Sequence, residues 1–124
     1  MLEDLNNAFT EVQSEGNEAA VSRASETISW AHRFIDLYAA QLDEFSHLSF
    51  GCAFADGGEL LVEWYGRKGA RFCIEIGPDN VVYHSLLFHG DTEAGAMRLD
   101  SPWPNEIHTA LQKLAQDASP TPSS

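Results

Sequence analysis

The loops Asp56-Gly57-Gly58, Arg67-Lys68-Gly69 and Pro78-Asp79-Asn80 constrain this chain more than any other feature. Each ends in a residue that tolerates positive φ, and each lies between alternating apolar runs. A three-residue hairpin loop is commonly a type I turn closed by a left-handed residue, a place that glycine fits best and asparagine next. Residues 48–89 therefore read as a four-stranded antiparallel meander whose register follows from the loops.

Pairing Ala55 with Glu59 sets Phe54 opposite Leu60, Cys52 opposite Val62 and Phe50 opposite Trp64. Pairing Gly66 with Ala70 sets Trp64 opposite Phe72, Val62 opposite Ile74 and Leu60 opposite Ile76. Pairing Gly77 with Val81 sets Ile76 opposite Val82, Ile74 opposite His84 and Phe72 opposite Leu86. All three loops send one apolar set to one face, as strand alternation requires. The other face carries Leu61, Glu63, Tyr65, Arg71, Cys73, Glu75, Tyr83, Ser85 and Leu87, a mixed set.

Helix precedes the sheet. Leu2, Leu5, Phe9 and Val12 make residues 1–16 an amphipathic helix or arm. Asn17 is an N-cap candidate, with Glu18 placed for the helix dipole. The helix it starts is expected to run to about Asp43. One apolar stripe on it is Val21, Ala24, Ile28, Ile35, Tyr38 and Leu42; a second is Ala20, Trp30, Phe34, Leu37 and Phe45. That arc is wider than one sheet face demands, so the helix also meets the N-terminal helix, the C-terminal helix or a second copy of the chain. A homodimer is thus one expectation. After the meander, Gly90-Asp91-Thr92-Glu93 reads as a loop and Gly95 to Asp100 as a short edge strand. Ser101-Pro102-Trp103-Pro104 opens a last helix with Ile107, Leu111 and Leu114 on one stripe, ending near Gln116. The fold class expected is α+β: a four- to five-stranded antiparallel meander covered on one face by the long helix and the short C-terminal helix. Residues 17–117 form one domain in this reading, and 118–124 a flexible tail.

An apolar content of 44 % over 124 residues excludes a disordered chain. No apolar run approaches the roughly 20 residues of a membrane span, and no basic-then-apolar leader opens the sequence. Two cysteines without such a leader point to a reducing cytosol. The register puts Cys52 and Cys73 on opposite sheet faces, so free cysteine is expected for both.

Reactive constellations are sparse. No glycine-rich phosphate loop precedes a helix, and neither His-Glu-x-x-His nor Cys-x-x-Cys occurs, so no metal or cofactor is expected. His84 falls on the core face. His32 and Asp36 are one helical turn apart and read as a surface pair. His89 stands at a strand end beside Asp91. Cys73, near Tyr83 and Ser85, is the one nucleophile candidate, but the register places no histidine beside it as a base. The chain does not read as an enzyme.

Charge says more. Nineteen acids against seven bases give a net charge of −12, of which −7 falls in residues 1–48. Such a field repels nucleic acid and anionic membranes and attracts basic protein surfaces. The expected function is an acidic protein-binding module that inhibits or regulates a basic partner, itself a candidate nucleic-acid-binding effector. Antitoxins, immunity proteins and phage anti-defence inhibitors work in this way. Glu3, Asp4, Glu11, Glu15, Glu18, Glu26, Asp36, Asp43 and Glu44 would supply the field, with Trp103 either an anchor or a lid on the core. Two other readings stand beside it: a small enzyme or ligand-binding protein using the open sheet face near Tyr65, Cys73, Tyr83 and His89, and an accessory subunit whose acidity only keeps it soluble.

The run Asp56-Gly57-Gly58, Leu61-Val62-Glu63-Trp64, Ile74-Glu75-Ile76-Gly77-Pro78-Asp79-Asn80 and Tyr83 resembles a group of small bacterial proteins of uncharacterised role. Their pattern is a DGG turn, a strand with a Glu-Trp pair, an Ile-Glu-Ile strand and a Pro-Asp-Gly turn. The resemblance spans roughly residues 18–115 and implies the hairpins, not a chemistry. This chain has Glu15-Gly16-Asn17 where those proteins carry Trp-Asp-Gly, Asn80 for glycine, and an added N-terminal helix.

Overall fold

The computed structural model describes residues 2–14, 18–55, 57–77, 79, 81–99 and 101–118. Five antiparallel strands follow one another in space as in sequence: β1 (Phe50–Phe54), β2 (Leu60–Tyr65), β3 (Arg71–Ile76), β4 (Val81–Phe88) and β5 (Asp91–Arg98). Helices α1 (Leu2–Ser14), α2 (Glu18–Leu37) and α3 (Ala39–Glu44) precede the sheet, and α4 (Asn105–Ala118) follows it. The fold is α+β, as expected.

The expected register holds pair for pair from Phe50↔Trp64 to Ile76↔Val82. Leu60, Val62, Trp64, Phe72, Ile74, Ile76, Val82 and Leu86 are all buried on one face. Against it α2 sets Ala24, Ala31 and Phe34, and α4 sets Ile107, Ala110, Leu111 and Leu114, spacings that follow the helical period. In α1, Leu5 and Ala8 are buried, and Phe9 meets Phe54 edge to face at 6.0 Å. The helix packs on β1 and α2. The second apolar stripe of the long helix is therefore met at least in part within the chain.

The first loop behaves as its sequence dictates. The Gly58 amide donates to the Ala55 carbonyl at 2.9 Å, and Gly58 has φ +90°. The second keeps the expected register with a different turn. The Ala70 amide donates to Arg67 at 3.0 Å, and both Lys68 and Gly69 have positive φ, as in a type I′ turn. In the third, the Val81 amide donates to the Asp79 carboxylate at 3.2 Å; Pro78 and Asn80 lie outside the described residues, as do Asp56, the Asn17 cap, Glu15 and the tail from 119.

Three boundaries differ from expectation. The long helix stops at Leu37, and Tyr38 (φ −117°, ψ 23°) separates it from α3. The Tyr38 hydroxyl lies 2.8 Å from the Leu99 carbonyl oxygen and 2.5 Å from that of Ser101. A phenol anchored to the far end of the chain fixes the bend there. The fifth strand starts at Asp91, not Gly95, because His89 and Gly90 (φ 50° and 91°) close a two-residue turn. Histidine enters the left-handed region more readily than most residues. The last helix runs to Ala118, two residues beyond Gln116.

Candidate functional site

The four helices of the described residues lie on one side of the sheet, and none of the described elements covers the opposite face. Its residues stand in rows set by the register. One row is Gly51, Glu63, Cys73, Ser85 and Ala94; the next is Ala53, Leu61, Glu75, Tyr83 and Ala96. A third sets Tyr65, Arg71, Leu87 and Thr92 side by side. Tyr65 is 42 % exposed and Tyr83 53 %, two of the three large apolar side chains exposed to that degree among the described residues. The Tyr65 hydroxyl donates to Glu63 at 3.1 Å, and its ring reaches across β1, where a Cβ on Gly51 would lie 3.3 Å from that hydroxyl oxygen. Burial and the hydrogen bond to Glu63 both raise the phenol pKa.

A shallow hollow of about 340 Å³ occupies this face, lined by Leu61, Cys73, Glu75, Tyr83, Ser85 and Ala94 among others. Cys73 is half-buried in it, directly opposite Glu63. Burial raises its thiol pKa, and the Glu63 and Glu75 carboxylates raise it further. A thiol so placed resists forming the thiolate that nucleophilic chemistry needs. Cys52 is half-buried on the covered face, and burial together with Asp4 pushes its thiol up to about 11.

The rival cluster around Cys73 is only partly assembled. Tyr83 is the diagonal neighbour of Cys73 across the β3–β4 ladder. His89 is not with them. It sits in the β4–β5 turn against Phe88, four residues along the strand from Ser85, the partner of Cys73. At about 3.3 Å per residue that is about 13 Å away. Among the described residues no group of three or more His, Cys, Asp or Glu is arranged to hold a metal ion.

The acids of the helical half sit elsewhere. Glu3, Asp4 and Glu11 are exposed on α1; Glu3 lies opposite Leu5 and Ala8, while Asp4 and Glu11 flank that stripe, with Asp4 on the side that acts on Cys52. Glu18, Glu26 and Asp36 are exposed on α2, opposite Ala24 and Ala31. Asp43 is exposed on α3, and Glu44 there is 3.6 Å from the His108 ring of α4. Glu3, Glu18, Glu26 and Asp36 stand on the outer surface of the helical layer, on the side away from Tyr65 and Tyr83, while Asp4 and Asp43 lie nearer the sheet. Trp103 is half-buried against Tyr38 at 5.1 Å, and its indole nitrogen is buried with no partner among the described residues. That is the position of a lid on the core.

Sequence reasoning missed what β5 brings to the open face. Ala94, Ala96 and Arg98 extend it by a strand and widen the flat region beside Tyr83 and Ser85. The signal was there in Thr92, Ala94 and Ala96 alternating with Glu93, Gly95 and Met97 after a His-Gly turn.

In comparisons with family models, with curated proteins and with solved structures, nothing matches this chain. The likeness to small bacterial proteins rests on the hairpin motifs alone. Among the described residues no helix is long and apolar enough to cross a membrane.

Proposed function

We propose that this chain is a protein-binding module that captures a basic protein partner and regulates or inhibits it. The bare sheet face makes the contact, and the net charge of the whole molecule, with Glu63 and Glu75 on that face, supplies the attracting field. The observation that carries the reading is the sheet face that no described element covers, with Tyr65 and Tyr83 exposed on the same face as the half-buried Leu61 and Leu87. Tyrosine combines a large apolar body with a polar tip and is enriched at the centres of interfaces. The second support is the net charge of −12, which raises the encounter rate with a basic surface and lowers it with nucleic acid.

The two contributions separate in kinetics. The partner is isolated by affinity purification from the native host and its binding followed by surface plasmon resonance. At about 10 mM salt, where charges act over about 30 Å, Glu18→Lys, Glu26→Lys, Asp36→Lys and Asp43→Lys together slow association by roughly tenfold and flatten its dependence on salt. Tyr65→Ala with Tyr83→Ala speeds dissociation by roughly tenfold, with association little changed. Capture unaltered by both sets, with the fold intact, overturns the reading.

A further inference from the structure

The covered face of the sheet is not covered to its end. The α4 helix lies over β2, β3 and β4, and β5 is the terminal strand, bordered by β4 on one side. Between α4 and β5 a recess of about 330 Å³ opens, reaching Phe72, Leu86 and Ala110 within and Glu93 and Glu106 at its mouth. His84 lies along it, close to the Gly95 backbone, where a Cβ would come 2.7 Å from the imidazole Cε1. Glycine is what leaves the recess open on that side.

Among the described residues nothing pairs with the edge beside the recess, and its phase is known. His89 and Gly90 form a two-residue hairpin turn, so Phe88 and Asp91 are its hydrogen-bonded closing pair. The ladder then alternates, and Thr92, Ala94, Ala96 and Arg98 turn their amide and carbonyl groups outward. Side chains along this edge are small at Ala94, Gly95 and Ala96, and all but Gly95 and Met97 of β5 are exposed. A strand can approach without obstruction.

We propose that β5 accepts an extended segment of a partner protein as a sixth strand, and that a lysine or arginine side chain of that segment enters the recess. The floor of Phe72, Leu86 and Ala110 suits the aliphatic stem of such a side chain. Glu93 and Glu106 stand where its cationic head emerges. Lys113, in the adjoining hollow with Glu93, Asn105, Glu106 and Thr109, marks the end of the acidic stretch. A second copy of this chain is a poorer occupant. Antiparallel self-pairing of β5 about Gly95 would set Glu93 opposite Met97 of the other copy, so no cationic side chain of that copy enters the recess. The proposal rests on the reading that the partner is basic, and it names the mode of contact.

The test uses the full chain, labelled with nitrogen-15, and three blocked pentapeptides of alternating valine with a central residue. The central residue is arginine, its neutral isostere citrulline, or arginine in a backbone N-methylated at the edge-facing positions. The arginine peptide shifts the amide signals of Thr92 to Arg98, His84 and Ala110. Citrulline weakens binding by roughly tenfold, the loss expected for a charge-assisted pair. Glu93→Gln with Glu106→Gln does the same, and N-methylation abolishes binding. Equal binding of arginine and citrulline peptides, shifts confined to the open face, or no shift at millimolar peptide each overturns the proposal. The probe needs no natural partner, so its failure leaves capture through Tyr65 and Tyr83 standing. Tyr65→Ala with Tyr83→Ala leaves peptide binding unchanged if the two surfaces are separate.

Discussion

Cys73 faces Glu63 across the β2–β3 ladder and has Glu75 two positions along its own strand. Both carboxylates, with partial burial, hold the proton on sulfur. The sign is plain: a thiol pKa raised above 9.0 means less thiolate at any given pH, and the rise in reactivity moves to higher pH. Alkylation of Cys73 by iodoacetamide at pH 8, followed by peptide mass spectrometry, is therefore expected to run slower than that of free cysteine. Glu63→Gln with Glu75→Gln restores about threefold to tenfold of the rate. A wild-type Cys73 that reacts faster than free cysteine would sink this account and revive a nucleophilic role. The neighbourhood was legible in the sequence, because period-two alternation and the closing pair Gly66–Ala70 place Glu63 opposite Cys73 without coordinates. The depth of the hollow was not legible, since it depends on Ala94 of β5. The strand that carries it was misplaced by a turn of an uncommon composition.

Hairpin loops decided the fold at the level of elements, and two of them differ in what they touch. Gly58 has φ +90°, and a Cβ there would meet the Arg23 Cβ at 2.4 Å and the Arg23 carbonyl carbon at 2.8 Å. Gly69 has φ +78° with nothing within 4 Å of that point. Gly69→Ala thus carries the left-handed backbone penalty alone, about 1 kcal/mol. Gly58→Ala adds a collision with helix backbone, which cannot swing aside as a side chain end can, for a total of about 3 kcal/mol. Urea unfolding of the two variants measures the gap, and equal losses would mean that the first loop is not seated on α2. The DGG motif made the turn readable; its docking on α2 was not, because no local pattern reports which helix a loop touches. The bend at Tyr38 was hidden for the same reason. Its hydroxyl answers carbonyls at Leu99 and Ser101, and helical periodicity runs through the site unbroken.

For the whole molecule the governing quantity is a net charge of −12 on a chain of 124 residues. Acids on α1, α2 and α3 share one surface, while the open sheet face mixes Glu63 and Glu75 with Arg71 and Arg98. Repulsion within the helical layer opposes the compact state, and added salt screens it with a range of about 10 Å at 0.1 M. The melting temperature is therefore expected to rise between 10 mM and 300 mM sodium chloride, by about 3–6 °C if screening recovers about 1 kcal/mol. Reversing Glu18, Glu26, Asp36 and Asp43 to lysine brings the net charge from −12 to −4 and should remove most of that slope. On the proposed function the same variant is expected to slow capture of the partner, so that stability and recognition respond in opposite directions to one change. That opposition is the signature of a charge kept for binding at a cost to the fold. A flat salt response in the wild-type chain would mean that local pairs already neutralise the layer. In that case the layer adds little net field, and the variant is expected to capture the partner at about the wild-type rate.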